Sequence, residues 1–415
     1  MKILRDVEIK SKTSMGLGNK VPFWVEISDE EELKQALDFL KEKKLGFFVL
    51  GEGTNTIGSD EVLPIGILHL KNHQAKFQVE DKVLEIPFDE EKPYQEFYPI
   101  KFYPELLKLV QLAKEKHKSV QIWVDSGIRW DNFVFFCLMH SIPSFVLLSG
   151  IPGKVGALPI QNVGAYGDEI QNYVKSVITY EIENYEPKKK KFVREDCDFR
   201  YRSSIFKKFP LRFVVFQLEL EVDVLKPIPL HYQELRNSLL FKTEISAKEK
   251  EKEFFDSFFD SNLKNEILFP YQIRKTIYEI RRKKGMILDE QGPDRHTAGS
   301  FFLNPLLSKK EFQDLQSKIP YEIPHYIEDS YYKVPAAWLI EYSGFFKGYK
   351  SQNQTLGISP HHALAIINYH ANVKELKAFV KGIQNQVYQK TGIRLQTEPV
   401  FMDEVILQNS SFLIS

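Results

Sequence analysis

The chain has 415 residues, more than one typical core accommodates, so two or three domains are expected. Lys plus Arg equals Asp plus Glu at 56 each, which excludes an overall basic footprint for nucleic acid or an anionic membrane. The two cysteines, Cys137 and Cys197, stand far from any CxxC spacing, favouring a reducing compartment and disfavouring a thiolate metal site.

Met1 to Lys10 is charged and lacks the apolar run of a signal peptide, so a cytoplasmic location is expected. Ser28-Asp29-Glu30-Glu31-Glu32-Leu33 reads as a helix start, an oxygen-bearing cap followed by carboxylates in the first turn. Leu33, Ala36, Leu37 and Leu40 recur at helical spacing until Gly46, and Phe47-Phe48-Val49-Leu50 is a short buried strand. It feeds Gly51-Glu52-Gly53-Thr54-Asn55-Thr56, whose small residues expose N–H groups suited to phosphate. With two glycines and no following helix, that stretch taken alone reads first as a plain tight turn.

Glu80 to Pro104 has no clear period and reads as an insertion or surface excursion. Glu105 to His117 is a helix with Leu106, Leu109, Val110 and Ala113 on one face. Val120 to Val124 is a strand, which Asp125-Ser126-Gly127 turns into an apolar helix, Trp130 to His140. The apolar stretch Phe133 to Leu148 is broken by His140, Ser141, Pro143 and Ser144, and is too short to span a bilayer.

Leu148 to Gly167 then holds five glycines and two prolines among small and apolar residues, with almost no charge. A surface linker of this length would be more polar. A tightly turned, apolar segment is expected to be buried, and its amides suit a diphosphate. A buried connection between two strands fits the composition as well.

Val174 to Ile182 and Lys191 to Val193 form a strand pair, with the basic run Lys188 to Lys191 expected at a solvated hairpin tip. In Phe199-Arg200-Tyr201-Arg202-Ser203-Ser204-Ile205-Phe206-Lys207, two arginines flank a tyrosine ahead of an apolar strand, Phe213 to Val222. Guanidinium forks suit anionic partners, although an arginine stacked on Tyr201 would serve packing alone. Thr243 to Glu266 is charged and helical in composition, with Phe254, Phe255, Phe258 and Phe259 as its apolar face, and reads as an inserted helix. The cluster Arg281-Arg282-Lys283-Lys284 is expected to be a solvated helix end.

Ala298-Gly299-Ser300-Phe301-Phe302-Leu303-Asn304-Pro305 places a serine between a turn and two aromatics; no GxSxG elbow accompanies it, which disfavours a hydrolase triad. Ala336 to Tyr342 is helical, Ala363 to Asn368 a strand and Val373 to Tyr388 helical. Leu395 to Phe401 reads as one last strand carrying Glu398 among apolar neighbours, where a carboxyl pKa is expected to rise as a proton donor requires. An exposed edge-strand Glu is the alternative. His361-His362 lack a third ligand at metal spacing, so no metal is expected.

Taken together, these segments resemble the UDP-N-acetylenolpyruvoylglucosamine reductase family of flavoproteins. The matching pieces run in the family's order: Leu50 to Asn55, Gly150-Ile151-Pro152-Gly153 through Gly167, Tyr201 to Lys207, Ala298 to Pro305, and Glu398-Pro399-Val400. The resemblance implies an α+β chain: a two-subdomain FAD-binding fold of the vanillyl-alcohol-oxidase type with a smaller α+β substrate-binding domain. Residues 1–72 and 73–296 would hold FAD, 297–390 the sugar nucleotide, and 391–415 would bring Glu398 back to the active site. It implies NADPH as reductant and peptidoglycan precursor synthesis as the setting, in a monomer with no nucleic-acid or membrane partner. FAD would lie along Gly51, Glu52, Gly53, Thr54 and Asn55, and along Gly150, Ile151, Pro152, Gly153, Gly156, Gln161, Asn162, Gly164, Ala165 and Tyr166.

By family position Ser300 protonates the substrate carbon beside the carboxylate, while Arg202 and Glu398 stabilise the enolic intermediate. Tyr201, Lys284 and Asn304 match positions that contact substrate or nicotinamide phosphates, and Tyr232 resembles a tyrosine that covers the diphosphate in one branch. Leu303 stands where the family often has Lys, Val400 where it often has Arg, and the usual glycine pair is reduced to Asp125-Ser126-Gly127. A flavin oxidase of the same fold and a non-catalytic sugar-nucleotide binder are the alternatives.

Overall fold

The computed structural model describes residues 1–88, 101–240, 261–287, 295–328 and 330–409. Most of the expected inserted helix, including its four phenylalanines, lies outside these residues, as do residues 89–100 of the first insertion. The last six residues of that expected helix, Ser261 to Glu266, open the helix Ser261–Lys283. Two larger sheets are present. One has four strands in the order Lys2–Glu8, Lys20–Ile27, Ile65–Leu70, Gly46–Val49. The other has six, in the order Glu186–Val193, Val174–Glu183, Phe213–Val222, Val120–Asp125, Gln74–Val79, Lys82–Pro87, each antiparallel to its neighbour. By internal contacts the chain divides into two compact units, one built mainly from Leu68–Arg282, the other mainly from Ile3–Trp24, Lys44–Ile67 and Lys283–Ser415.

The first unit contains the six-stranded sheet. Its helix α1 (Glu30–Glu42) starts as expected, Asp29 accepting the Glu32 N–H, and buries Leu33, Ala36, Leu37 and Leu40. Helix α2 (Pro104–Lys116) buries the four residues expected of it. Helix α3 (Trp130–Met139) is apolar nearly all round and accordingly buried. Phe133, Val134 and Phe136 join the core over the sheet, while Phe135, Leu138 and Met139 pack with Ile273, Ile277 and Ile280 of helix α4 (Ser261–Lys283).

Three expectations are corrected here. Residues Lys82–Pro87 are the edge strand of the sheet, paired with Gln74–Val79, and not part of an excursion. Lys188 to Lys191 lie within the strand Glu186–Val193, at the other edge, while Asn184 and Tyr185, both at positive φ, make the turn. The lysines are held there by carboxylates: Lys191 meets Glu219 at 2.6 Å, and Lys190 pairs with the buried Glu181. Charged lysines on an edge strand also discourage pairing with another chain. Finally, Arg281 is not a solvated helix end, for it packs on Gly150.

In the second unit the core gathers Met15, Ile57, Phe301, Phe302, Leu339, Ile366 and Leu376. Helix α5 (Val373–Thr391) has a capping box of Asn372 and Glu375, and both carboxylate oxygens of Asp60 accept N–H groups of its first turn, from Val373 and Lys374. The strand expected over Ala363 to Asn368 is confined to Ile366–Asn368. The last strand is similarly short: Val400–Phe401 pairs in parallel with Thr56–Ile57, and Thr397 makes an isolated bridge to Phe302. Among the described residues no helix is long and apolar enough to cross a membrane.

Candidate active site

In the second unit, the segment carrying Ser300 runs between two others. Ser300 bridges Ala365, the Phe301 N–H donates to Leu364 O at 2.8 Å, and Phe302 bridges Thr397. Phe301 O accepts the Glu398 N–H at 3.0 Å, so Ser300 and Glu398 lie on adjoining extended segments. The buried rings of Phe301 and Phe302 anchor this register in the core. Ser300 and Glu398 are themselves half-buried. Gly299, at φ +72°, faces open space: a Cβ there would meet nothing within 4 Å.

The Gly51 to Asn55 turn joins the same assembly. Asn55 O accepts the Val400 N–H at 3.0 Å, and Asn55 Nδ2 reaches Glu398 O at 3.5 Å. Gly53 needs its glycine for a reason the composition did not reveal. At φ +63° a Cβ would lie 2.1 Å from Lys12 O, so the backbone at Lys12 packs directly against this glycine and leaves no room for a side chain. Asn304 Oδ1 accepts the Ala336 N–H at 2.8 Å and thereby caps the helix Ala336–Tyr342. Lys284 is half-buried just beyond α4.

In the first unit the glycine-rich segment is buried, as expected. The Trp130 N–H donates to Gly153 O, the Val155 N–H to Ile128 O and the Gly156 N–H to Ser126 O, stitching it to the turn before α3. The largely buried Asp131 carboxylate sits beneath this turn. Its Oδ1 accepts the Gly150 N–H at 2.6 Å and Arg274 Nη1 at 2.7 Å. Its Oδ2 accepts Arg274 Nη2 at 2.7 Å and the Tyr278 hydroxyl. Burial opposes ionisation of Asp131, but the charge and hydrogen bonds of Arg274 hold its carboxyl below the usual range. Lys154, also buried, donates to Leu70 O at 2.7 Å. None of Asp131, Arg274 or Lys154 stood out in the sequence.

The second half of the segment orders the predicted arginine. Arg202, at φ +50°, donates from Nη2 to Gly164 O at 2.7 Å and from Nη1 to Asn162 O at 3.5 Å. Its guanidinium also lies 5.8 Å from the Tyr201 ring centroid, so the packing contact is present beside the polar one. Asn162 donates to Glu169 Oε2 and Arg200 O, and Lys207 Nζ reaches Arg202 O and Gln161 Oε1. Tyr166 meets Tyr232 edge-on at 5.3 Å. Burial raises the Tyr166 pKa and Arg281 partly offsets it.

Two features of this segment fit a dinucleotide cofactor. The Ser126 hydroxyl is buried with no hydrogen-bond partner among the described residues, and it lies 2.8 Å from where a Cβ on Gly156 would sit. The Ile151 N–H likewise has no acceptor among the described residues. Among those residues no group of three or more His, Cys, Asp or Glu could hold a metal ion.

The family model for the C-terminal domain of UDP-N-acetylenolpyruvoylglucosamine reductase matches residues 291–402. A UDP-N-acetylenolpyruvoylglucosamine reductase of Thermobifida fusca is 30% identical over 409 residues, covering 96% of this chain and 97% of that protein. The reductase of Mycolicibacterium gilvum is 32% identical over 280 residues, 67% of this chain and 73% of its own length. The crystal structure of the Thermus caldophilus reductase aligns with a TM-score of 0.56 at 19% identity, covering 97% of this chain and 99% of that one. The fold is therefore that of an α+β reductase. The chain belongs to the UDP-N-acetylenolpyruvoylglucosamine reductase family.

Proposed function

We propose that this protein reduces UDP-N-acetylglucosamine enolpyruvate to UDP-N-acetylmuramate with FAD and NADPH, in the cytoplasm and as a monomer, during peptidoglycan precursor synthesis. The observation that carries the reading is the seating of Ser300 and Glu398 on adjoining segments, joined through Phe301. FAD is held along Gly51 to Asn55 and Gly150 to Tyr166. In this division residues 1–72 and 73–296 serve the cofactor, 297–390 the sugar nucleotide, and 391–415 carries Glu398.

FAD, when bound, supplies a hydride to the enolpyruvyl methylene carbon, and NADPH restores it. The adjacent carbon, beside the substrate carboxylate, then needs a proton. Ser300 Oγ supplies it. Negative charge building on the carboxylate-bearing enol is met by the Arg202 guanidinium, oriented by the carbonyls of Asn162 and Gly164, with Glu398 assisting as an acid. Tyr201, Tyr232, Lys284 and Asn304 bind the substrate or the nicotinamide phosphates; for Asn304 the amide nitrogen does this, since Oδ1 caps a helix. The test is anaerobic stopped-flow of both half-reactions on the purified yellow protein. Flavin bleached by NADPH and restored by the enolpyruvyl sugar nucleotide supports the reading. A preparation that takes up no FAD contradicts it.

A further inference from the structure

Helix α4 presents Arg274, Tyr278 and Arg281 at helical spacing along one stripe, and all three meet the Gly150 turn or the carboxylate beneath it. Arg274 is 2% exposed, and its guanidinium lies 5.0 Å from the Phe135 ring centroid. A Cβ on Gly150, at φ +70°, would come 3.0 Å from Arg281 Cδ. The turn is therefore clamped between the first turn of α3, through Asp131, and the flank of α4. We infer that Asp131 and Arg274 are positioning residues for the cofactor. Asp131 fixes the Gly150 peptide so that the neighbouring Ile151 amide stays available to a diphosphate. Arg274 cancels a negative charge that would otherwise oppose that anion from 2.6 Å behind the Gly150 nitrogen.

The inference rests on the proposed reading that FAD lies along this turn. It separates two jobs of one cluster: neutrality, which needs Arg274 only because Asp131 is charged, and an acceptor for the Gly150 N–H, which needs an oxygen at position 131. A buried ion pair can be exchanged for uncharged residues of similar volume with little loss of stability. Asp131→Asn/Arg274→Met removes both charges but keeps the oxygen, whereas Asp131→Leu/Arg274→Met removes the oxygen as well.

The experiment is FAD titration of the deflavinated full-length chain, with thermal unfolding and the visible spectrum of bound flavin recorded for each variant. The Asn/Met form is expected within about threefold of wild-type FAD affinity, and the Leu/Met form about tenfold weaker with an altered flavin spectrum. Equal affinity and equal spectra in both double variants overturn the inference, because a merely structural pair would change the melting temperature alone. Should either double variant fail to fold, Asp131→Asn against Asp131→Ala repeats the comparison with Arg274 in place, and equal affinities there overturn it too. A wild-type chain that binds no FAD overturns the flavin reading and this inference together.

Discussion

The backbone N–H of Glu398 donates to the carbonyl oxygen of Phe301 at 3.0 Å, which sets the acid beside the segment that carries Ser300. The two groups thereby share a scaffold whose register is held by buried phenylalanine rings. Ser300→Ala keeps that scaffold, since the backbone bridges of Ser300 and Phe302 do not use the hydroxyl. NADPH should reduce the flavin of this variant at close to the normal rate. Reoxidation by the enolpyruvyl sugar nucleotide should slow by about a hundred- to ten-thousand-fold, the usual worth of a positioned proton donor. Equal slowing of both half-reactions in stopped-flow would sink the assignment of Ser300 to the second.

Arg202 divides its fork between the carbonyls of Asn162 and Gly164. A lysine cannot span both acceptors, although it keeps the charge. Arg202→Lys should therefore lower kcat/KM by about ten- to a hundred-fold while leaving the melting temperature nearly unchanged. Steady-state kinetics beside a thermal melt checks this. A variant with full activity would show that charge alone, without orientation, is what position 202 provides.

Much of the fold was legible because local chemistry and tertiary structure agree. Asp29 caps α1 where an oxygen precedes a run of carboxylates, and the apolar faces of α1 and α2 are the buried ones. The errors arise where a distant partner decides. Lys188 to Lys191 read as a solvated tip by composition, yet they lie in an edge strand, where Lys190 pairs with Glu181 on the adjacent strand and Lys191 with Glu219 on the strand beyond it. Gly53 read as part of a phosphate cradle or a tight turn, and nothing local showed that the distant Lys12 carbonyl forbids a side chain there. Asp131 and Arg274 are 143 residues apart, so no local pattern could pair them. The Ser300 and Glu398 roles came from family resemblance, because a lone serine beside glycine carries no such signal.

Gly53 and Gly299 both hold positive φ but differ in surroundings, which separates a structural glycine from one that leaves room. Gly53→Ala must displace the Lys12 carbonyl from 2.1 Å, and a loss of about 2–4 kcal/mol is expected. Gly299→Ala meets no atom within 4 Å, so only the left-handed strain of about 1 kcal/mol remains. Its methyl would instead enter the space beside Ser300 and raise KM for the sugar nucleotide. Denaturant titration and kinetics on the two variants test the contrast; comparable stability losses would remove it.

His140, which follows α3, supplies the last prediction. The ring is fully buried; its Nε2 accepts the Tyr103 N–H at 3.0 Å, so Nδ1 carries the proton and donates to Phe136 O at 2.8 Å. Burial among Phe102 and Phe136 lowers its pKa to about 4, only partly offset by the Phe136 carbonyl. The unfolded chain, with a histidine near 6.5, binds a proton more readily than the folded one, so stability is full above that value and falls with pH towards 4. The loss is about 1.4 kcal/mol per unit, or about 2 kcal/mol by pH 5. Replacing the ring by glutamine, which can donate and accept but does not titrate, should cost stability at pH 7 yet flatten the decline between pH 7 and 5. Parallel declines of the two melting temperatures over that range would mean that another group carries the acid sensitivity.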